Sequence, residues 1–389
     1  MESQVGERVI ALDFLRGLAV AGMVMVVSPG SWVMTYGALQ HAPWMGWTPA
    51  DLVFPTFLYC VGMAIGLTVP RLKPAERQSG GLALKVARRT ALLVLLGLFL
   101  NALPTFDLAH LRIPGILQRI GLCYALATAI AVLTARTGED GRLRINLTAA
   151  AIAATVLLAG YWALLALVPT PGFGAGRLDS HGALPAFIDR QVFGVAHLWS
   201  LGVTEGVGVT YDPEGLLSTF PATVNVLVGV IIARLVAGSA QRGGSKLAPA
   251  LTLGVALIIV GLALDPLMPI NKRIWTPSFA LLSSGISTVA FVGLAQLSRA
   301  PRGLDVGFVF KVLGGNAILA FVLSQLLSVF GAMAIFPGAN ATPQALGFVL
   351  MQKVIADPYL ASLACAVLVL GLITAILIPL HRRGIHLRL

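Results

Sequence analysis

The amino-acid sequence predicts an all-α integral membrane protein, a polytopic bundle of about ten transmembrane helices. Of its 389 residues, 57% are hydrophobic and only 11% are charged, whereas average soluble domains carry roughly 25% charged residues. Apolar runs of about 20 residues recur along the chain, and each is long enough to cross a bilayer core of roughly 30 Å. The runs are continuous, whereas a transmembrane β-barrel would show alternating strands of about ten residues.

Ten apolar segments account for most of the chain, and each is expected to form one span. A short interfacial helix is expected over 343–356, and the only long connection, about 169–213, is rich in glycine and proline. We therefore predict a single transmembrane domain over 1–389. The predicted spans are 9–28, 49–70, 84–103, 113–135, 145–168, 214–236, 247–268, 277–298, 309–334 and 359–380.

The lysine and arginine residues cluster between alternate spans, which is the positive-inside pattern. The chain has 27 lysine and arginine residues. On the predicted topology, 19 of them lie on the side that holds both termini and six on the opposite side, and Arg16 and Arg119 fall within spans. This distribution predicts cytoplasmic termini. It also accounts for the net charge of +11 without a nucleic-acid partner, because no basic patch is interleaved with aromatic residues. The three cysteines lie in apolar runs, which favours core positions over a metal site.

Each span that starts at the outer face is predicted to open with a proline, which suits the first helical turn. One interpretation is that these are simply good helix starts. The other is that several positive helix ends converge on one outer-face region, where they would stabilise an anion. The prolines are Pro49, Pro114, Pro213, Pro277 and Pro358.

The connection between the first two spans holds the main candidate site. From Gln40 to Asp51 it contains a histidine, two tryptophans and a carboxylate, but no lysine or arginine. His41 is the candidate general base, since neutral imidazole accepts protons near pH 7. Asp51 either orients His41 or, at capping-box spacing from Thr48, caps the next helix. Trp44 is a candidate substrate contact, although a tryptophan here is also typical of an interfacial belt.

Polar residues within two other spans extend the candidate set. Arg16 and Asp13 share a helical face, so they form an internal ion pair or Arg16 contacts an anionic ligand on the cytoplasmic side. Arg112 and Arg119 lie seven residues apart on one face, and Gln118 beside them favours a polar cavity over two snorkelling arginines.

Two clusters on the outer side are candidates for binding a substrate or an oxyanion. Glu214 lies in an acidic first turn, where it either caps the helix or contacts an amine or hydroxyl. Asn271, Lys272 and Trp275 belong to a short segment with two cations on the side that is otherwise poor in them. We expect no metal in either cluster.

Taken together, these motifs resemble the catalytic domain of the heparan-α-glucosaminide N-acetyltransferase family. The stretch 41–55 is similar to that family's active-site loop and helix start. Four further segments match in the same order along nearly the whole chain. The Asp13–Gly17 segment is also similar, more weakly, to bacterial surface-polysaccharide O-acyltransferases. The segments are Asp13–Gly17, Arg112–Arg119, Tyr211–Leu217 and Asn271–Trp275.

The resemblance implies a membrane acyltransferase that moves an acetyl group from acetyl-CoA to an amine or hydroxyl of a sugar such as a terminal glucosamine. It also implies that His41 is the active-site histidine and that the protein is a homodimer in the inner membrane of a bacterium. One departure is that the family's asparagine near the end of the first span is replaced here by Val27 or Ser28.

Four arginines are candidates for binding the phosphates of acetyl-CoA, although those at the cytoplasmic side also serve to set orientation. They are Arg16, Arg88, Arg89 and Arg119. The alternative function is a permease for a sugar-like solute, with the same charged residues lining its pathway. Transporters often show paired halves with broken helices, and the sequence shows no such symmetry.

Overall fold

The computed structural model of the chain describes residues 2–78, 80–239, 247–297, 307–334 and 342–385. In these ranges the protein is predominantly α-helical, as the apolar runs predict. The helices are α1 (Glu2–Val27), α2 (Pro49–Thr68), α3 (Pro74–Gln78), α4 (Gly81–Ala102), α5 (Ile116–Leu133), α6 (Leu147–Leu167), α7 (Leu184–Phe193), α8 (Thr219–Ser239), α9 (Ala248–Ala263), α10 (Pro277–Leu297), α11 (Gly307–Gly315), α12 (Ala317–Ala332), α13 (Pro343–Gln352) and α14 (Pro358–Arg382).

Among the described residues, two small antiparallel hairpins lie between the helices. Strands β1 (Arg136–Thr137) and β2 (Leu143–Arg144) pair after α5, and strands β3 (Val203–Thr204) and β4 (Gly208–Val209) pair in the long connection before α8. That connection also contains α7, so part of it is ordered as a helix.

Every predicted span overlaps a helix, but the count of ten spans is not confirmed. In the described ranges, seven helices are long and apolar enough to cross a membrane. An eighth is added if α11 and α12, which meet at an angle of 89°, form one broken span. Of the others, α9 has only 16 residues, and α4 carries Lys85, Arg88 and Arg89 in its first half.

The proline prediction is confirmed at three helix starts and wrong at two. Pro49, Pro277 and Pro358 are the first residues of α2, α10 and α14. Pro114 lies before α5, and Pro213 lies before α8. The two prolines sit in extended or turn segments whose carbonyls and side chains are hydrogen-bonded elsewhere: for example, Asn101 donates to the Pro114 carbonyl at 3.1 Å.

The chain forms two compact units. Unit one contains the residues up to Ala42, Trp47–Phe57 and the residues from Gly293 onward, and unit two contains Pro43–Gly46 and Leu58–Val292. The single transmembrane domain over 1–389 therefore stays a prediction.

In unit one, α1 packs closely against α11, α12 and α14. A Cβ atom added at Gly17 would overlap the Phe310 carbonyl, and one added at Gly314 would overlap the Asp13 carbonyl. Glycines allow membrane helices to approach this closely. The buried core beside this contact includes Val20 and Val24.

In unit two, α8 is the central helix, in contact with α5, α6 and α9. Gly62 and Gly229 let the second half of α2 approach α8 at backbone distance. Asn225 of α8 is fully buried, and its amide donates to the hydroxyls of Ser283 and Ser284 at 3.0 and 2.9 Å. This polar bridge fixes α8 against α10.

Candidate active site

His41 and Asp51 form a hydrogen-bonded pair in unit one. His41 Nδ1 lies 2.8 Å from Asp51 Oδ1, with the histidine side chain 32% exposed and the aspartate 1% exposed. Because a carboxylate accepts at Nδ1, the neutral imidazole carries its proton there and its lone pair on Nε2. The arrangement is that of an oriented general base.

The local sequence explains why Asp51 is held in place. It lies in the first turn of α2, where its second oxygen, Oδ2, accepts from the backbone N–H of Thr48 at 2.9 Å and of Ala42 at 3.1 Å. The Thr48 hydroxyl donates to the Gln40 carbonyl at 2.6 Å and closes the loop. The two interpretations of Asp51 are therefore compatible, since one oxygen caps the helix and the other orients His41.

Arg16, also in unit one, forms the internal ion pair. Its Nη1 donates to Asp13 Oδ1 and to the Gly314 carbonyl, both at 3.3 Å. The Gly314 carbonyl is at the C-terminal end of α11, so the positive charge of Arg16 also stabilises that end of the helix. A role in binding acetyl-CoA stays a prediction.

Unit two contains a buried cluster of charged residues centred on Arg112. The Arg112 guanidinium binds Asp212 in a bidentate pair, at 2.8 and 2.6 Å, and Glu214 Oε2 at 2.5 Å. Asp212 is 0% exposed and Glu214 is 7% exposed. Removing two carboxylates from water is unfavourable unless they are paired, so Arg112 holds this part of the chain together.

Arg119 belongs to the same cluster. Its Nη2 donates to the Gly215 carbonyl at 2.9 Å and to the Ser218 hydroxyl, and its guanidinium lies 5.1 Å from the ring centroid of Trp275. Its Nε and Nη1 are buried and, within the described part of the chain, have no hydrogen-bond partner. A buried guanidinium with unused donors is typical of a site that binds oxygen atoms of a ligand.

The positive charges around Glu214 keep its carboxyl group ionised. Burial alone raises the pKa of the Glu214 carboxyl, but Arg112, Arg119 and Lys272 outweigh it and hold the pKa below its ordinary value. Burial likewise lowers the pKa of Arg112, and Asp212 and Glu214 reverse this so that the pKa is raised. Both groups therefore stay charged at neutral pH, so Glu214 is a carboxylate there and not a proton donor.

Trp44, which belongs to unit two, contacts the long connection. Its Nε1 donates to the Leu178 carbonyl at 2.8 Å, and its ring meets Tyr211 edge-on with centroids 4.8 Å apart. The next residues continue this contact, since Gly46 donates to the Ile270 carbonyl at 2.7 Å. Trp44 therefore holds its loop in place, and contact with a substrate stays a prediction.

The segment 271–275 is buried beside the cluster. Asn271 is 0% exposed, Lys272 is 9% exposed and Trp275 is 0% exposed. Trp275 has a φ of +53°, a strained value that the surrounding contacts must maintain, and its Nε1 donates to Asn225 Oδ1 at 3.0 Å. Strain of this kind is often stored at functional sites.

The remaining predicted residues of unit two have separate contacts. Gln118 is buried and donates to the Ile113 carbonyl at 3.1 Å, inside the turn that precedes α5. Arg89 lies 4.6 Å from the ring centroid of Tyr124, and Arg88 is exposed. Arg119, in contrast, contacts Gly215, Ser218 and Trp275 and therefore belongs to the cluster around Arg112.

Two site residues were missed by the sequence interpretation. Asp189 of α7 is 1% exposed and accepts from the Leu216 N–H at 2.8 Å. Its pKa is raised to about 7, mainly by burial and also by Asp212. Ser218 is the residue that binds Arg119. No local pattern marks Asp189, whereas Ser218 directly follows the motif that ends at Leu217.

These features define a class: a polytopic helical membrane protein with a histidine held by a buried carboxylate and, in unit two, a buried cluster of charged residues. The profile of the family described as "Heparan-alpha-glucosaminide N-acetyltransferase, catalytic" matches residues 8–264. The chain belongs to this family, as the resemblance indicates. The match includes His41, Asp51, Arg112, Arg119 and Glu214, and it ends before segment 271–275.

Two curated relatives support the assignment. The protein named heparan-alpha-glucosaminide N-acetyltransferase from Homo sapiens is 30% identical over 353 residues, which is 81% of this chain and 52% of the relative. The protein of the same name from Mus musculus is 29% identical over 358 residues, 82% of this chain and 54% of the relative. This chain thus spans about half the length of the curated relatives it matches.

Proposed function

We propose that this protein transfers an acetyl group from acetyl-CoA to the amine or hydroxyl of a sugar, of which a terminal glucosamine is one example. The observation that carries this proposal is the His41–Asp51 pair, with Nδ1 and Oδ1 2.8 Å apart, in a chain of an acetyltransferase family. The same family membership does not favour the alternative of a permease for a sugar-like solute.

In the proposed reaction, the acceptor nitrogen or oxygen attacks the thioester carbonyl carbon. His41 Nε2 takes the proton from the attacking atom, while Asp51 stabilises the resulting imidazolium through Nδ1–H. The tetrahedral intermediate then collapses, the carbon–sulfur bond breaks, and the proton passes to the departing CoA thiolate. An acetyl-histidine relay is the competing pathway. Arg112 and Lys272 are our candidates for stabilising the oxyanion.

The buried cluster of unit two is proposed to bind the acceptor. Arg119 has buried donors, Nε and Nη1, that the described residues leave without a partner, and sugar hydroxyl or carbonyl oxygens are suitable acceptors. Glu214 is ionised and is suited to an amine or hydroxyl that donates. Asn271, Gln118, Trp44 and Trp275 complete the set of proposed acceptor residues.

The nucleotide of acetyl-CoA is proposed to contact cations that the positive-inside pattern assigns to the cytoplasmic side. Arg88 and Arg89 are these residues, and Arg16 and Arg119, which lie within predicted spans, are further candidates. A homodimer in a bacterial inner membrane, with both termini cytoplasmic, completes the proposal. No metal ion takes part in it.

The test is His41→Ala in purified protein. Loss of a positioned base should lower kcat by roughly 10²–10⁴-fold, while acetyl-CoA still binds. The matched control is His110→Ala, because His110 Nδ1 lies 2.7 Å from Asp107 Oδ2 in an exposed pair and its loss should leave kcat unchanged. Near-normal turnover by the His41→Ala variant would refute the base. Solute transport without acyl transfer by the wild type would establish the permease.

A further inference from the structure

Unit one contains an apolar cavity whose lining includes none of the candidate site residues. It encloses about 420 Å³, within the roughly 300–1,000 Å³ of pockets that hold small molecules. The end of α1, the last turns of α12, one face of α13 and the middle turns of α14 form its walls. Representative lining residues are Val27, Ser28, Leu327, Gly347, Cys365 and Leu372.

The cavity is lined by residues that also reach the lipid-facing surface of the protein. Leu368 and Leu372 are 60% and 50% exposed, and Phe330 is 48% exposed. Both leucines lie within the most apolar candidate span, α14, where exposed side chains face hydrocarbon and not water. An occupant that enters between these side chains therefore comes from the bilayer.

One polar atom in the cavity wall indicates what that occupant carries. Ser28 is 9% exposed, and its Oγ is buried without a hydrogen-bond partner in the described part of the chain. A buried hydroxyl left in this state costs about 1–3 kcal/mol. An occupant that presents an acceptor oxygen to Ser28 would remove this cost.

The polar and apolar ends of the cavity lie in a definite order. Ser28 precedes Gly30, whose N–H donates to the Ser362 carbonyl at 3.2 Å near the start of α14. From Cys365 to Leu372 the wall then follows α14 for seven residues, about 10 Å of helix. A glycerolipid has the same order, with an ester carbonyl followed by an acyl chain.

We propose that this cavity binds one acyl chain of a bilayer glycerophospholipid, with the Ser28 hydroxyl donating to the ester carbonyl. The other occupant that an apolar membrane surface admits is a second copy of this chain. The carbonyls of a partner helix already accept bonds within that helix, so Ser28 could reach them only as a second donor, whereas the ester carbonyl of a lipid has no competing donor. A phospholipid supplies an ester carbonyl for the Ser28 hydroxyl at one end of the cavity and an acyl chain for the apolar wall at the other.

The proposed lipid would also pack against the start of the loop that leads to His41. In that segment, Gln344 Nε2 donates to the Pro29 carbonyl at 2.5 Å, and the Ser31 N–H donates to Ser362 Oγ at 3.0 Å. Since a ligand that binds only the folded state stabilises it, we expect long-chain phospholipid to raise the melting temperature of delipidated protein. This expectation is independent of the proposed reaction.

The test uses a phosphatidylglycerol with a photoreactive diazirine in one acyl chain, incorporated into phosphatidylglycerol–phosphatidylethanolamine vesicles with the full-length protein. Labelled peptides are mapped by mass spectrometry. We expect labels on the cavity walls of α13 and α14 well above those on exposed residues of α6, such as Val156. An even distribution over all lipid-facing helices would overturn the proposal.

Two glycines provide a matched pair of variants. A Cβ at Gly347 or at Gly371 meets nothing within 4 Å, but only Gly347 lines the cavity. Gly347→Leu should abolish cavity labelling, and Gly371→Leu should leave it intact. Labelling that survives Gly347→Leu would contradict the proposal. So would loss of labelling together with efficient crosslinking of two copies through Cys365, which would identify the partner chain as the occupant.

A competition experiment tests the contact to Ser28 without relying on a core variant. Excess unlabelled diester phosphatidylglycerol should displace the probe from wild type more effectively than the diether analogue, which lacks the carbonyl. Ser28→Ala should make the two competitors equal. Equal competition in wild type would overturn the assigned hydrogen bond.

Discussion

Asp51 performs two tasks at once, because its two oxygens bind different groups. Asp51→Asn would place an NH₂ group where one of these oxygens accepts. If the amide oxygen keeps the Thr48 and Ala42 donors, the NH₂ faces His41 Nδ1, and the imidazole must shift its proton to Nε2, where the base is needed. We therefore expect kcat to fall by roughly 10²–10⁴-fold, measured with acetyl-CoA and an amino-sugar panel.

The matched control for this change is Asp357→Asn. Asp357 also caps a helix, accepting from Leu360 N–H at 2.8 Å, and asparagine caps about as well as aspartate. Kinetics like those of the wild type are expected. If Asp51→Asn also kept wild-type kcat, the aspartate would be a cap alone.

The Arg112 ion pair should matter for stability far more than an exposed pair does. Asp212→Asn leaves a buried guanidinium partly uncompensated, and breaking such a pair costs about 3–5 kcal/mol. In Arg177–Asp179 the two side chains are 50% and 43% exposed, and such pairs contribute about 0–1 kcal/mol. Thermal melting in detergent should therefore rank Asp212→Asn well below Asp179→Asn, and equal melting temperatures would contradict the structural role.

At the residue scale, the sequence was informative where the partners lie close together in the chain. His41 lies in the loop before α2 and Asp51 lies ten residues later in the first turn of that helix, so their pairing could be anticipated. Asp189 and Ser218 reach Arg119 and Leu216 through tertiary contacts. No local pattern marks Asp189, and the only local signal for Ser218 is its position directly after the motif that ends at Leu217. Arg119 was correctly identified as an unusual buried cation, but its partners Gly215 and Trp275 could not be inferred from α5 alone.

Among the elements, the contact between α2 and α8 depends on two glycines. A Cβ at Gly62 would overlap the Val226 carbonyl, whereas a Cβ at Gly160 of α6 meets nothing within 4 Å. Gly62→Ala should therefore lower the melting temperature. Gly160→Ala should raise it slightly, because alanine favours a helix over glycine by roughly 0.5–1 kcal/mol. We therefore predict changes in melting temperature of opposite sign for the two variants. A Gly62→Ala variant with an unchanged melting temperature would refute the close contact.

Helix α7 should make stability depend on pH through Asp189. The folded-state pKa is raised to about 7, by burial first, while Arg119 and Arg190 act in the opposite direction. The stabilising protonated form is therefore fully available below the unfolded pKa of roughly 4. Its contribution is lost as the pH rises through about 7.

Asp189→Asn imitates the protonated carboxyl and retains an oxygen for the Leu216 N–H. Melting temperatures measured from pH 4 to pH 8 should fall less steeply in this variant than in wild type, with the largest gain at the alkaline end. Parallel curves would show that Asp189 does not titrate in this range.

The sequence predicts helices better than it predicts their ends. Apolar runs fix where the spans lie, because the bilayer demands continuous hydrophobic length. A proline such as Pro114 or Pro213 is compatible with a helix start but does not require one. Both prolines lie before their helices, in segments that the polar contacts around Arg112 and Asn101 hold in place. The break between α11 and α12 was also not anticipated. It lies at Asn316, which is fully buried, inside a run that is apolar on both sides.

For the whole molecule, the form of this break decides one of the ten predicted crossings. If α11 and α12 form one span, the ten predicted spans place both termini on the same side, in agreement with the lysine and arginine bias. If the pair, bent by 89°, instead enters and leaves on one side, the count is odd and the termini are opposite.

Reporter fusions distinguish these topologies. Green fluorescent protein fused after Leu389 should fluoresce, and alkaline phosphatase at the same position should be inactive, because the C-terminus is predicted to be cytoplasmic. The control is a fusion after Leu267, between α9 and α10, where phosphatase should be active. If both positions are external, α11 and α12 form a re-entrant pair. If the fusion after Leu267 is cytoplasmic, the topology fails earlier in the chain, and the 16-residue α9 is the first helix to re-examine.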